Sequence, residues 1–145
     1  MFRTNYLALV LMMFLLGATE QSYAQCSGKK GLTEYCDMKV PNYQHHKCLD
    51  FFLPGKSDVE ELVFTINMTK GVVYQFQMIG NEGENPIMSI FARNFKVATN
   101  YNEKNGKFYE TIEFVSRATT PVEIRVRIDN KKNKGCGVIV MRVKQ

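Results

Sequence analysis

The sequence predicts an all-β protein, an antiparallel β-sandwich of about eight strands that is jelly-roll-like and carries a disulfide-clipped N-terminal segment. Three observations carry that expectation. From Leu49 onward apolar residues recur with a period of two, and no stretch sustains a period of 3.6. The turn signals fall at the short, regular spacing of a sandwich or barrel rather than that of βαβ units. Four cysteines, an even number, follow a start suited to export, where disulfides form and persist.

Residues 1–24 read as a secretory signal peptide. Arg3 supplies a short basic start, an apolar run extends from Tyr6 to Ala18, and a polar stretch ends in Ser22-Tyr23-Ala24. The apolar run is well short of the roughly 20 residues that cross a bilayer, so the expectation is cleavage after Ala24 and not an anchor. Cys26 invites a lipoprotein reading, but Tyr23-Ala24-Gln25 lacks the Leu and paired small residues of a lipobox. Arg3 and Glu20 leave together with the leader, so the net charge of +5 is unchanged by export. That excess is moderate, is spread along the chain and names no partner by itself. The 145 residues, 45% apolar and 23% charged, fit one globular domain and not a disordered chain.

Residues 25–47 lack the strand rhythm and are expected to lie as an irregular segment against a sandwich formed by residues 48–145. With Cys26, Cys36, Cys48 and Cys136 all retained, three pairings are possible, and the favoured one joins Cys26 to Cys36 and Cys48 to Cys136. The second bond would close the longest loop and restrict the unfolded chain most.

The strands follow in order. A weak strand is expected over Cys48 to Leu53. Leu62, Phe64, Ile66 and Met68 alternate with Val63, Thr65 and Asn67, and after Lys70-Gly71 a second run places Val72, Tyr74, Phe76 and Met78 on one face; the two are read as neighbouring antiparallel strands. Asn81 to Pro86 is a turn by composition, and the more continuously apolar Ile87 to Ala92 reads as a central strand. Phe95 to Tyr101 continues in extended form toward a hairpin around Asn105-Gly106, with Lys107 to Val115 as the return strand. After Pro121, Val122, Ile124, Val126 and Ile128 alternate strictly with Glu123, Arg125, Arg127 and Asp129, a half-buried strand. A lysine-rich turn leads to the last strand, Cys136 to Val143, where Gly137 is expected to relieve a crowded backbone position.

Chemistry-bearing patterns are sparse. The histidines are the adjacent pair His45 and His46 in the irregular N-terminal segment, and no Gly-x-Ser-x-Gly elbow appears. With Cys48 they make a zinc-like donor set, but Cys26 and Cys36 do not have the short spacing of a structural zinc site, so no metal or other cofactor is expected. Glu60, Glu61, Glu82, Glu84, Glu110 and Glu113 read as solvated carboxylates rather than a glycosidase pair. The candidate ligand face consists of Tyr101 and Tyr109 beside the Asn-Gly hairpin together with Arg125, Arg127, Lys131, Lys132 and Lys134. Phe108 is in phase with Ile112 and Phe114 and is expected inside; Tyr109 falls on the opposite face. No Trp is present to stack on sugars.

From about Gly55 to Val143, the succession Val73-Tyr74-Gln75-Phe76, Ile87-Met88-Ser89-Ile90, Ala98-Thr99-Asn100-Tyr101, Tyr109-Glu110-Thr111-Ile112-Glu113-Phe114 and Gly135-Cys136-Gly137-Val138 resembles the pre-peptidase C-terminal type of β-sandwich, in particular small exported versions from Bacteroidetes-type bacteria. Val122-Glu123-Ile124 departs from the Gly-Tyr-Tyr-like strand entry of that family. The resemblance implies a jelly-roll-like accessory domain without catalytic residues, and hence not an enzyme. A weaker resemblance, to the MD-2-related lipid-recognition proteins, implies a carrier of a lipid or other small apolar ligand, although their proline-rich middle is absent. The expected function is that of a secreted or periplasmic, non-catalytic binding or interaction module. The alternatives are the lipid carrier and an envelope structural or assembly protein. Expected partners are an envelope protein, a glycan or an apolar small molecule, with no nucleic acid and no membrane-spanning segment after the leader.

Overall fold

A computed structural model describes residues 34–55, 60–81, 83–130 and 132–145. The leader, Cys26, Glu82 and Lys131 lie outside the described residues. A single helical turn at 34–37 precedes ten strands: β1 (Tyr43–Pro54), β2 (Leu62–Met68), β3 (Val73–Gly80), β4 (Pro86–Ala92), β5 (Phe95–Thr99), β6 (Tyr101–Asn102), β7 (Lys107–Phe108), β8 (Thr111–Val115), β9 (Thr120–Ile128) and β10 (Lys134–Lys144). The first sheet has the order β1-β10-β3-β8 and the second β2-β9-β4-β5, while β6 and β7 form a separate two-stranded ribbon.

Every pairing is antiparallel, and the register defines the topology. β1 lies opposite β10, β2 opposite β9, β3 opposite β8 and β4 opposite β5, so the chain can be laid flat as one long hairpin. Rolling that hairpin brings β3 against β10 and β4 against β9. The result is the double Greek key of a jelly roll, with eight strands in two sheets as the alternation predicts.

The rolled topology corrects one expectation. β2 and β3 are not neighbours; they belong to opposite sheets, and the turn at Lys70-Gly71, with Gly71 at φ +80°, carries the chain across the sandwich. Thr69 N–H donates to the Tyr74 hydroxyl at 2.8 Å and fixes this arch. Period-two patterning specifies which face of a strand is buried and says nothing about which strand lies beside it.

The buried faces are those that the alternation marks. Ile66 and Met68 of β2, Tyr74, Phe76 and Met78 of β3, and Val122, Ile124, Val126 and Ile128 of β9 meet between the sheets with Leu49, Phe51 and Leu53 of β1. β4 is central, as its continuous apolar run suggests. β10 is buried on both faces: Ile139 and Met141 enter the core, and Val138, Val140 and Arg142 on the other side are also sequestered. Residues before β1 are held against that outer surface, where Arg142 Nη2 donates to the Tyr35 carbonyl at 3.3 Å.

β1 begins at Tyr43, ahead of the strand expected at Cys48, and follows β10 from Lys144 to Lys134. Gln44-His45-His46-Lys47 has no apolar rhythm to announce it, and its extended form comes from the ladder, with a bulge between His45 and Lys47. This register also corrects the disulfides. Cys48 sits opposite Val140, whereas Cys136 sits opposite Phe52, a separation along the strand of about 13 Å that no disulfide spans. Cys48 is bonded instead to Cys36, with Cα atoms 5.9 Å apart, so neither Cys26–Cys36 nor Cys48–Cys136 forms. Cys136 is disulfide-bonded as well, to a partner outside the described residues. Gly137 fulfils its expected role, since a Cβ there would run into the Ile79 carbonyl and the Phe51 ring.

The expected return strand from Lys107 to Val115 is divided between β7 and β8. The break is imposed by Asn100, which is almost fully buried: its side chain accepts from Met88 N–H at 2.7 Å and donates to the Pro86 carbonyl at 3.0 Å, while its own carbonyl receives Tyr109 N–H at 2.8 Å. The β6–β7 ribbon is thus hung from β4. Gly106 at its tip has the positive φ, +67°, that the Asn-Gly signal predicts.

Candidate functional site

The sequence-predicted ligand face is distributed over three features. Tyr101 is half-buried with its ring 4.6 Å from that of Phe108, while Tyr109 is 40% exposed with Lys107 Nζ 5.2 Å from its centroid; both belong to the ribbon region. Arg125 and Arg127 stand on the outer face of the second sheet. Arg125 is engaged there by Glu123 at 2.8 Å and Glu61 at 3.9 Å, and its guanidinium lies 4.1 Å from the centroid of the Phe91 ring. Arg127 and Lys96 both act on Glu103: the 3.0 Å hydrogen bond from Lys96 holds that carboxyl below its ordinary value, and the field of Arg127 adds to it. Lys132 lies in the β9–β10 turn and Lys134 opens β10, and Asn130 Oδ1 accepts from the backbone N–H groups of both.

A more concave feature lies where the sheets end. β5 is one edge of the second sheet and β8 one edge of the first, and a cleft of about 580 Å³ opens between them. Ala92, Val97 and Ala98 line it from one side and Phe114 and Val115 from the other, with Val122 of the core at its base. Ser116, Arg117, Ala118 and Thr120 close one end. The apolar character continues onto the surface: Val97 is 42% and Val115 51% exposed, and Phe95, paired with Ala92 in the ladder, is 75% exposed. A smaller hollow of about 370 Å³ shares Thr120 and is lined by Phe91, Arg93, Asn94 and Glu123 among others. Arg93 (φ +49°) and Asn94 (φ +70°) both adopt the left-handed conformation of a two-residue turn joining β4 to β5.

The polar groups at the cleft are already committed, with one exception. Ser116 donates its hydroxyl to the Ala118 carbonyl at 2.7 Å. Glu113 accepts a hydrogen bond from the Tyr43 hydroxyl, which raises the Tyr43 pKa, with burial and the carboxylate charge acting in the same direction. Arg117 is exposed and has no ion-pair partner among the described residues. His45 and His46 are on β1, at the opposite edge of the first sheet from β8, with the His46 ring 6.1 Å from that of Tyr74. Cys48 is bonded to Cys36 and has no thiolate to offer a metal beside them.

Sequence reasoning missed Arg117 and the cleft it borders. It also missed Arg142, a fully buried guanidinium that donates through Nη1 to Gln77 at 3.0 Å and Gln75 at 3.4 Å, and whose Nε has no partner among the described residues. Burial lowers the Arg142 pKa. The available signal was its place on a strand of apolar residues, two residues from Val140 and so on the same face. Among the described residues no helix is long and apolar enough to cross a membrane. Comparison with models of protein families and with curated proteins returns no match for this chain.

Proposed function

We propose that this protein is an exported, non-catalytic jelly-roll module that acts by binding, with the cleft between β5 and β8 as its binding site. The observation that carries this reading is the cleft itself: about 580 Å³, within the range of roughly 300 to 1,000 Å³ common to small-molecule sites, walled by apolar side chains and continuous with exposed Phe95, Val97 and Val115. A sandwich edge with no partner gains nothing from large apolar groups held in water, and contiguous patches of that kind mark interaction sites. The leader-like start and the disulfides at Cys36, Cys48 and Cys136 support placing it in a secreted or periplasmic setting. The pre-peptidase C-terminal resemblance agrees with an accessory domain that supplies binding rather than chemistry.

The test uses protein exported by its own host and measured as intact mass under native and then denaturing, non-reducing conditions. A bound species should appear only in the native spectrum and should be lost from an Ala118→Trp variant that fills the cleft. Reproducible hydrolase turnover by the purified protein would overturn the reading.

A further inference from the structure

We infer that the chain forms a symmetric dimer through the outer edge of β2, which pairs antiparallel with β2 of a second copy about a twofold axis at Thr65. The inference goes beyond the binding reading and does not depend on the cleft, which is bordered by β5 at the other end of the same sheet.

β2 ends its sheet, and among the described residues no strand pairs with its outer side. An unpaired edge offers a row of N–H and C=O groups to another extended chain, and native sheets blunt such edges with charge, proline, bulges or brevity. The other three edges carry these devices. β1 is bulged between His45 and Lys47 and ends at Pro54. β5 has five residues, a register shift opposite Ile90 and Phe91, and Lys96 paired with Glu103; β8 has five residues and holds Glu113 at its centre. β2 reads LVFTINM, seven residues without a charge, a proline or a break in its register against β9. Its apolar groups are also incompletely covered: Val63 is 50% exposed, and Leu62 and Phe64, on the core face, are only half-buried.

The edge is complementary to itself, which identifies a second copy as the occupant. Antiparallel pairing centred on Thr65 sets that residue against the partner's Thr65, a favourable cross-strand pair, and Val63 against the partner's Asn67 on the outer face. Phe64 then meets the partner's Ile66 on the core face, so the two cores become continuous and the half-buried ring is covered. The ends match in charge. Glu60 and Glu61 precede the strand and Lys70 follows it, so the carboxylates of each copy stand beside the ammonium of the other. Glu60 and Lys70 are exposed and neither has an ion-pair partner among the described residues, while Glu61 reaches Arg125 only at 3.9 Å. A parallel alignment would place like charges side by side. The dimer joins the two second sheets into one of eight strands, with the copies of β5 at its far ends roughly 35 Å apart, so one assembly presents two clefts.

The experiment is sedimentation equilibrium of the full exported chain over about a hundredfold range of concentration, since a dimer dissociates on dilution by mass action. The parent should sediment as a dimer at the upper end of that range. Thr65 is exposed and faces Glu123 across the β2–β9 ladder, so Thr65→Lys should fold, with circular dichroism as the check. It sets like charges against each other at the axis and should weaken dimerisation by about fivefold or more, as should Thr65→Glu. An equimolar mixture of the two variants should recover the dimer, because Lys then faces Glu; damage to the fold by either substitution would not be repaired by mixing. Lys70→Glu, outside the strand, should weaken the dimer in the same direction. Ala118→Trp, directed at the cleft, should leave it unchanged. A chain that stays monomeric throughout overturns the inference and leaves the binding module standing. A dimer indifferent to Thr65→Lys and Lys70→Glu, or folded Thr65 variants that do not recover it on mixing, overturns it by placing the contact elsewhere. Growth beyond the dimer overturns the closed twofold in favour of open edge-to-edge stacking.

Discussion

The two edges of this sandwich are built to opposite specifications. On one side β1 runs twelve residues, pairs along the length of β10 and is tied to the preceding segment through Cys36 and Cys48. On the other, β5 and β8 have five residues each, belong to different sheets and leave a cleft between them. The closed edge has β10 buried on both faces, while the open edge keeps Phe95, Val97 and Val115 in water. Strand length and covering segment, more than hydrophobicity, distinguish a core from a site here.

Substitutions that add volume should separate the two edges most sharply. At the closed edge, Gly137→Ala places a Cβ against the Ile79 carbonyl and the Phe51 ring, and backbone cannot give way as a side chain can. A loss of about 3 kcal/mol or more is expected, read as a fall in the urea midpoint at constant slope. A cost below about 1 kcal/mol would mean that β1 and β10 tolerate a shift that the register does not suggest.

The disulfide comes next. Replacing Cys36 and Cys48 together by Ser opens a link between residues twelve apart in sequence, and loop entropy predicts a loss of about 3 kcal/mol. The pair also holds the segment that supplies the Tyr35 carbonyl to Arg142, so the backbone amides of β10 should lose hydrogen-exchange protection. The amides of β4 and β9 in the other sheet should keep theirs. Uniform loss across both sheets would show that the closed edge is not a separate unit.

The open edge should be far more tolerant. Ala98→Val adds two methyl groups toward the cleft at a strand position that suits a β-branched residue, so the change in stability should stay within about 0.5 kcal/mol. Thermal melts of this variant beside Gly137→Ala provide the direct comparison. A large destabilisation at Ala98 would mean that the cleft is packed more tightly than its volume implies.

The contrast also explains what could be read in advance. β2, β3 and β9 were legible because Ile66 and Met68, Tyr74 and Phe76, and Val122 through Ile128 each repeat every second residue, a local signal that burial on one face produces. Apart from the hairpin at Asn105-Gly106, the partners of the strands were not legible, because jelly-roll pairs such as β1 with β10 join the far ends of the chain. The Arg93-Asn94 turn escaped notice because neither residue is Gly, although both take positive φ. Asn100, polar in sequence and buried in the fold, is a peg whose partners at Pro86 and Met88 only the folded chain supplies. The cleft was the least legible feature: Ala92, Val97, Phe114 and Arg117 are unremarkable in their own segments, and the roll alone brings them together.

One contact crosses from the closed edge toward the open one, and it yields the smallest effect. Tyr43 opens β1, and its hydroxyl donates to Glu113, which lines the cleft on β8. The carboxylate favours the protonated phenol, so the folded-state pKa of Tyr43 lies above its usual value of 10.0. A group whose folded pKa is raised contributes stability that is fully present below the unfolded pKa and is lost as pH rises through the folded one. Tyr43→Phe should therefore be slightly less stable than the parent at pH 7 to 9, and the difference should shrink once the pH passes about 10. Paired urea titrations across that window would reveal it. The reverse trend, a difference that grows with pH, would show that Glu113 is held by something other than the tyrosine and that the cleft wall is independent of β1.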